Sequence, residues 1–279
     1  MSADEQSFEI VIAPGAREAR YWRELWRYRE LFQVLAWRDV AVRYKQTAIG
    51  VAWAVVRPFI TMVVFTLVFS RLAKLPSDGN VPYAVMVLAG VLPWTFFSTA
   101  LSDASNSLVS NANLIGKTYF PRMIVPAAAI LAALVDFAIG LVILAGMMAW
   151  FAVVPGWQIV FLPVVVLAAL LACLGPSLWI TAVNVRYRDF RYVIPFALQL
   201  GLYLSPVGFS SGVIPAKWRL LYALNPMADV IDAFRWCIFG GQKPLYWPGL
   251  GLGALVIASA LWLGVYQFRR LEKGFADLL

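Results

Sequence analysis

The chain has 279 residues, of which 62% are hydrophobic and 14% charged, and its mean hydropathy is +0.75. Soluble domains are about 45–50% apolar and about 25% charged, so too few polar residues are present to cover a water-facing exterior, which excludes a disordered chain, a disulfide-stapled scaffold and an ordinary cytosolic enzyme. Histidine is absent, which removes the usual neutral-pH acid–base group and the commonest metal ligand, and the net charge of +8 needs a destination.

Residues 1–35 hold no apolar stretch of the ~7–15 residues that a cleavable signal requires, because Arg17, Arg20, Arg23, Arg27 and Arg29 interrupt them. The chain is therefore expected to begin in the cytoplasm and to insert through internal spans. Tyr21, Leu25, Tyr28, Phe32 and Leu35 follow alternating spacings of four and three, with Trp22 and Trp26 beside them. Arg20, Arg23, Glu24, Arg27 and Glu30 take the opposite face. This predicts an amphipathic helix in the membrane interface, or one packed on a protein surface.

Six apolar runs then approach the ~20 residues that cross a bilayer. They are predicted at 51–72, 83–102, 124–154, 159–183, 193–212 and 245–268. Residues 137–185 carry no charge, and Pro155-Gly156 supplies the break between the third and fourth spans. Between spans five and six, the apolar piece 227–239 is too short to cross, at roughly 20 Å of helix. Asn225-Pro226 is read as the break between two short helices, and Asp232 and Arg235, three residues apart, could pair. This segment is either re-entrant or lies on the outer surface.

Six spans place both ends on one side. Nine basic residues lie in the N-terminal segment through Arg57, and the same side receives Lys117, Arg122, Arg186, Arg188, Arg191, Arg269, Arg270 and Lys273. The other side receives Arg71, Lys74, Lys217, Arg219, Arg235 and Lys243. Basic residues concentrate on cytoplasmic loops, so both termini are expected in the cytoplasm. The charge is thus a topology signal, and no basic patch on a soluble domain points to nucleic acid.

Little covalent chemistry is visible. Cys173 and Cys237 stand apart without CxxC spacing and read as small packing residues. Gly116-Lys117-Thr118 resembles the end of a phosphate loop, but Asn111 stands where the first glycine is required. Asp136 is the one acid well inside a span, with no intramembrane basic partner in its surroundings along the sequence. It reads as a structural hydrogen-bonding group or as the proton site of an ion-coupled carrier. Aromatic residues make up 15% of the chain. Tyr192, Phe196, Gln199 and Tyr203 share one helical face, which suits a sugar's apolar C–H faces and hydroxyls, or ordinary helix packing.

The run Arg43-Tyr44-Lys45-Gln46-Thr47, with Gly50, Trp53 and Arg57-Pro58, resembles the membrane subunit of polysaccharide ABC exporters, the ABC-2-type permeases that move O-antigen, capsule and teichoic-acid chains. Further segments resemble the family in the same order. These are Gly90 with Leu92-Pro93-Trp94-Thr95-Phe96-Phe97, residues 111–122 and 184–189, Leu204-Ser205-Pro206-Val207, residues 222–227, and Phe268-Arg269-Arg270-Leu271-Glu272 with Phe275-Ala276-Asp277.

The resemblance implies an all-α integral membrane protein. Residues 1–50 would be a cytoplasmic segment with the interface helix, and 51–279 a six-span domain with two short extracytoplasmic helices between spans five and six. Two copies would form a homodimer in the bacterial inner membrane and bind two copies of a cytoplasmic ATPase subunit. ATP and Mg would sit on that partner, with no cofactor or metal in this chain. The substrate would be a lipid-linked polysaccharide, most simply O-antigen; capsule, teichoic acid, drug and lipid export are the related alternatives. Trp53, Phe59, Trp94, Phe97, Tyr192, Phe196, Gln199 and Tyr203 would line the channel. Arg43, Lys45 and Arg57 would meet the lipid phosphates, or serve only as cytoplasmic anchors. Asn113, Lys117, Tyr119 and Arg122 would couple to the ATPase, and Asn225, Pro226, Asp232 and Arg235 would form the exit gate.

Overall fold

The computed structural model describes residues 17–45, 50–187 and 189–275, and among these the secondary structure is entirely helical. Residues 1–16 lie outside the described part, as do Gln46, Thr47, Arg188, Ala276 and Asp277 of the sequence motifs. The helices are α1 (Arg17–Arg27), α2 (Arg29–Lys45), α3 (Gly50–Phe65), α4 (Tyr83–Ser110), α5 (Ala112–Lys117) and α6 (Ile124–Trp150). They continue with α7 (Leu162–Arg186), α8 (Phe190–Leu204), α9 (Ala216–Tyr222), α10 (Pro226–Ile238) and α11 (Trp247–Leu271). Five segments are long and apolar enough to cross a membrane: Ala52–Leu72, Tyr83–Ser110, Ile124–Trp150, Trp157–Arg186 and Trp247–Leu271. The first continues α3 through a π-helical stretch, Thr66–Leu72.

The fifth predicted span is shorter than expected. It forms as α8 over Phe190–Leu204, not 193–212, and its 15 residues reach only roughly 22 Å. The helix stops because Ser205 precedes Pro206 and takes an extended conformation, φ −97° and ψ 153°. The second span runs the other way, eight residues past its predicted end to Ser110. Its polar last turns stay helical because Ser105, Asn106 and Ser107 bond back to carbonyls of Ser102 and Ala104. The third ends at Trp150 rather than 154, where Ala152 turns the chain at φ 53°.

α4 is the central helix. Of its most apolar stretch, 72% is buried, against 11% for the first span and 17% for the last. Membrane helices gain little from apolar burial against each other and associate through close backbone approach and interhelical hydrogen bonds. Thr181 donates to the Ala104 carbonyl and Asn184 to the Ser105 carbonyl, both at 2.8 Å, which ties α7 to α4. α7 meets α11 at facing glycines: a Cβ on Gly175 would stand 2.6 Å from the Ala260 backbone, and one on Gly264 would collide with the Gly175 carbonyl. The obstacles are backbone atoms, which cannot move aside. Gly264→Ala is therefore expected to lower stability by ~1–3 kcal/mol, measured as a lower melting temperature in detergent; an unchanged melt would contradict this close approach.

Two hydrophobic clusters hold the helices together. One joins α4 to α3, α6, α7 and α10. The other gathers Leu35, Leu108, Ile115, Phe120, Leu178, Phe268 and Phe275, with Tyr21, Leu25, Tyr28 and Phe32 packed on it. The predicted amphipathic stretch is thus two helices, α1 and α2, whose apolar face lies on the chain's own second cluster. Trp22, Trp26 and Trp37 remain exposed.

Candidate functional site

The eight aromatic and amide candidates fall on three different surfaces. Trp94 and Phe97 of α4 face α8 across an apolar groove of 720 Å³, also lined by Leu101, Trp179, Ile194 and Leu198. Gly201 lets the two helices meet, since a Cβ there would stand 2.6 Å from the Trp94 ring. Tyr192, Phe196, Gln199 and Tyr203 lie on other sides of α8 and are exposed, Tyr192 to 78%. Among the described residues, Tyr203 alone of the four has a ring neighbour, Phe65 of α3, at 6.5 Å between centroids. Trp53 and Phe59 are exposed on α3. Within one copy, these residues do not enclose a single channel.

The three basic candidates also separate. Lys45 and Arg57 are exposed. Arg43 instead forms ion pairs with both Asp103 of α4 and Asp136 of α6, and the Tyr44 hydroxyl donates to Asp136 as well. Asp136 therefore takes its basic partner from outside the spans, where the sequence reading looked only within them. Arg43 lies outside every span, 93 residues away, so a search along the spans passes over it. The cation stabilises two carboxylates that would otherwise be costly at this depth, and it fastens α2 to α4 and α6.

At the same end, α5 presents one face. Asn113, Gly116 and Lys117 are exposed while Ile115 anchors the helix in the core. Tyr119 is 84% exposed, whereas Phe120 behind it is buried. Arg122 points back into the protein. Its backbone N–H donates to the Glu272 carboxylate at 2.8 Å, and its guanidinium donates to the Glu272 carbonyl at 2.6 Å. Burial pushes the Glu272 carboxyl above the usual range, and these contacts with Arg122 hold it down in part. The Tyr28 hydroxyl donates to the Tyr119 carbonyl at 3.3 Å. The loop is thus tied both to the junction of α1 and α2 and to the C-terminal segment, with Asn113, Lys117 and Tyr119 left outward.

At the opposite end, Asn225 caps α10 by accepting from the Met227 N–H at 3.1 Å, and Pro226 takes the first helical position. The predicted pairing of Asp232 with Arg235 does not form. Arg235 is buried and donates to the carbonyls of Met86, Val207 and Phe209 at 3.0–3.2 Å, with Asp78 at 3.8 Å. Asp232 accepts from Ser211 and lies 3.8 Å from Lys243, which also approaches Asp78 at 3.6 Å. The i,i+3 spacing puts both groups on one side of α10 but leaves open which way a long guanidinium turns; three carbonyls outcompete one carboxylate. Sequence reading missed Asp78 and Lys243, which are isolated charges in the two loops.

Residues 30–239 match the family described as ABC-2 type transporter. The chain is 27% identical over 260 residues to the O-antigen export system permease protein RfbA of Myxococcus xanthus, covering 92% of this chain and 98% of that protein. It is 24% identical over 252 residues to a protein of the same name from Klebsiella pneumoniae, covering 90% and 95%. A second Klebsiella pneumoniae protein of that name is 23% identical over 254 residues, with the same coverage.

Proposed function

The chain belongs to the ABC-2 type transporter family, and on that premise we propose that it is the membrane subunit of an ATP-driven exporter of a lipid-linked polysaccharide, most simply O-antigen. The observation that carries this reading is the similarity, nearly end to end in both chains, to permeases named for O-antigen export. Two copies form the transport path in the inner membrane, with α8 counted as the sixth crossing. Both termini lie in the cytoplasm, at the end where the basic residues concentrate, and α9 and α10 lie toward the exit. α1 and α2 run along the cytoplasmic interface, with Trp22, Trp26 and Trp37 toward lipid.

The exposed aromatic face of α8 supports the channel assignment. Rings there can stack on sugar C–H faces while Gln199 and the Tyr192 and Tyr203 hydroxyls exchange hydrogen bonds with the polymer. Such contacts are weak singly and repeat along a chain, which lets it slide. Trp53 and Phe59 would extend that wall from α3 when two copies face each other, while Trp94 and Phe97 support α8 from its other side. Lys45 and Arg57 are free to attract a lipid-linked phosphate at the cytoplasmic entrance, while Arg43 holds the entrance helix in place.

ATP and Mg belong to two partner ATPase subunits, which would dock on the outward face of α5. Lys117→Glu combined with Tyr119→Ala is expected to reduce capture of the ATPase by about tenfold or more, because charge and ring are lost together at an exposed contact. A pull-down with the partner measures it, and undiminished capture would contradict the docking assignment. The export reading itself is tested by deleting the gene and blotting surface glycan. Loss of the glycan, restored by the native chain and less well by Tyr203→Ala or Phe196→Ala proteins that still dimerise, is the expected result. Unchanged surface glycan after deletion would overturn it.

A further inference from the structure

We propose that the pocket between α9, α10, Asp78 and the segments 211–214 and 242–246 binds one sugar residue of the exported chain, at the exit side of the molecule. This rests on the export reading and adds to it a second place where the glycan is held. The pocket has a volume of 270 Å³. That is just below the ~300–1,000 Å³ range of small-molecule sites, which suits a single ring rather than a length of polymer.

Three observations point to a hydroxyl-rich, uncharged occupant. First, the Tyr222 hydroxyl, Oδ2 of Asp229 and Oδ1 of Asp232 are buried and make no hydrogen bond, and all three residues line the pocket. Buried polar atoms are rarely left without partners; these three have almost no accessible surface, so a ligand that brings donors and acceptors meets them after an outward turn of their side chains into the pocket. Second, the lining is balanced in charge: Asp78, Asp229 and Asp232 stand against Arg219, Arg235 and Lys243. An ion would upset that balance, whereas sugar hydroxyls can donate to carboxylates and accept from Lys243. Third, Tyr222, Trp236 and Tyr246 supply rings for the C–H faces of a pyranose.

Neighbouring groups set where the charged side chains rest. Ser211 donates to Oδ2 of Asp232, which sets the carboxylate and leaves Oδ1 without a hydrogen bond, 3.8 Å from the Lys243 ammonium. Asp229 is seated against α11, where a Cβ on Gly253 would collide with its Oδ2. Lys243 is held by Ser210 and Ser211 between Asp78 and Asp232.

The test is isothermal titration of the purified complex with its partner ATPase, using as probe the host's own surface glycan released from lipid. The expected result is a saturable binding step weakened at least tenfold in Asp232→Asn and in Tyr222→Phe, both eluting as the native oligomer. Tyr222→Phe removes a single buried oxygen, so it reports on binding even where Asp232→Asn does not fold. No saturable step in the native complex, or native affinity in Tyr222→Phe, would overturn the pocket assignment. Loss of surface glycan on deletion is scored separately, so the pocket can fail while the export reading stands.

Discussion

Replacing Arg235 by Leu is expected to prevent accumulation of a correctly folded protein. The guanidinium is 3% exposed and donates to carbonyls of Met86, Val207 and Phe209. It therefore ties α10 and the 205–210 segment to α4. Gly90 makes room for it, since a Cβ there would stand 2.6 Å from both Nη2 and the Val207 oxygen. Leucine would leave these acceptors and Asp78 without the donor, and removing one member of a buried charge network costs ~3–5 kcal/mol. That is a large part of the ~5–15 kcal/mol by which folded proteins are stable. Arg235→Lys should be milder but still harmful, because an ammonium cannot span three carbonyls in a fixed fork. Fluorescence-detected size exclusion and a thermal melt in detergent measure both. A Leu variant melting within about 3 °C of the native chain, the shift that ~1 kcal/mol produces at this size, would contradict the role given to Arg235.

The second large effect is expected at Arg43. Arg43→Leu leaves Asp103 and Asp136 facing each other without their shared cation. Their side chains are 38% and 24% exposed, so solvent screens part of the loss and ~1–3 kcal/mol is expected rather than the full buried-pair cost. The informative comparison is the double variant. Arg43→Leu with Asp136→Asn removes cation and anion together and should recover about 1 kcal/mol or more relative to additivity. The same cycle with Asp103→Asn should recover a similar amount, because each double variant leaves one carboxylate without the cation. Melting temperatures of the four proteins in each cycle give the coupling. Strict additivity would show that the interface helix is not held by this pair, and it would reopen the reading of Asp136 as an isolated proton site.

These two arginines also show where sequence reading reached its limit. The spans were legible because bilayer thickness imposes a length, and the apolar runs of α4, α6, α7 and α11 meet it. Their ends were less legible. Asp103, Asn106 and the serines of the last turns of α4 look like loop residues, yet Ser105 and Ser107 satisfy their hydroxyls on the helix itself. In α8 the apolar run continues past Leu204, but Ser205-Pro206 ends the helix, so local backbone sterics overrode hydropathy. The break at Asn225-Pro226 was legible because capping and proline chemistry are local. Partners across the fold were not. Arg43 with Asp136, and Asp78 with Lys243, are joined by chain reversals that no periodicity encodes.

The candidate site divides in the same way. The shared face of Tyr192, Phe196, Gln199 and Tyr203 follows from helical spacing, and all four are exposed. That Trp94 and Phe97 turn instead to the groove on another side of α8 depends on how α4 and α8 cross. The outward face of Asn113, Lys117 and Tyr119 was legible as a motif. The reversal of Arg122 onto Glu272 was not, since it depends on the C-terminal segment returning to the same end.

The central claim is that this chain provides the path while a partner ATPase provides the energy. Reconstitution of the chain with that ATPase in proteoliposomes, with and without the host's lipid-linked glycan, tests it most directly. The expected result is ATP hydrolysis that changes with the glycan and transfers it across the bilayer only when this chain is present. ATP hydrolysis indifferent to the glycan, with no transfer, would contradict the claim.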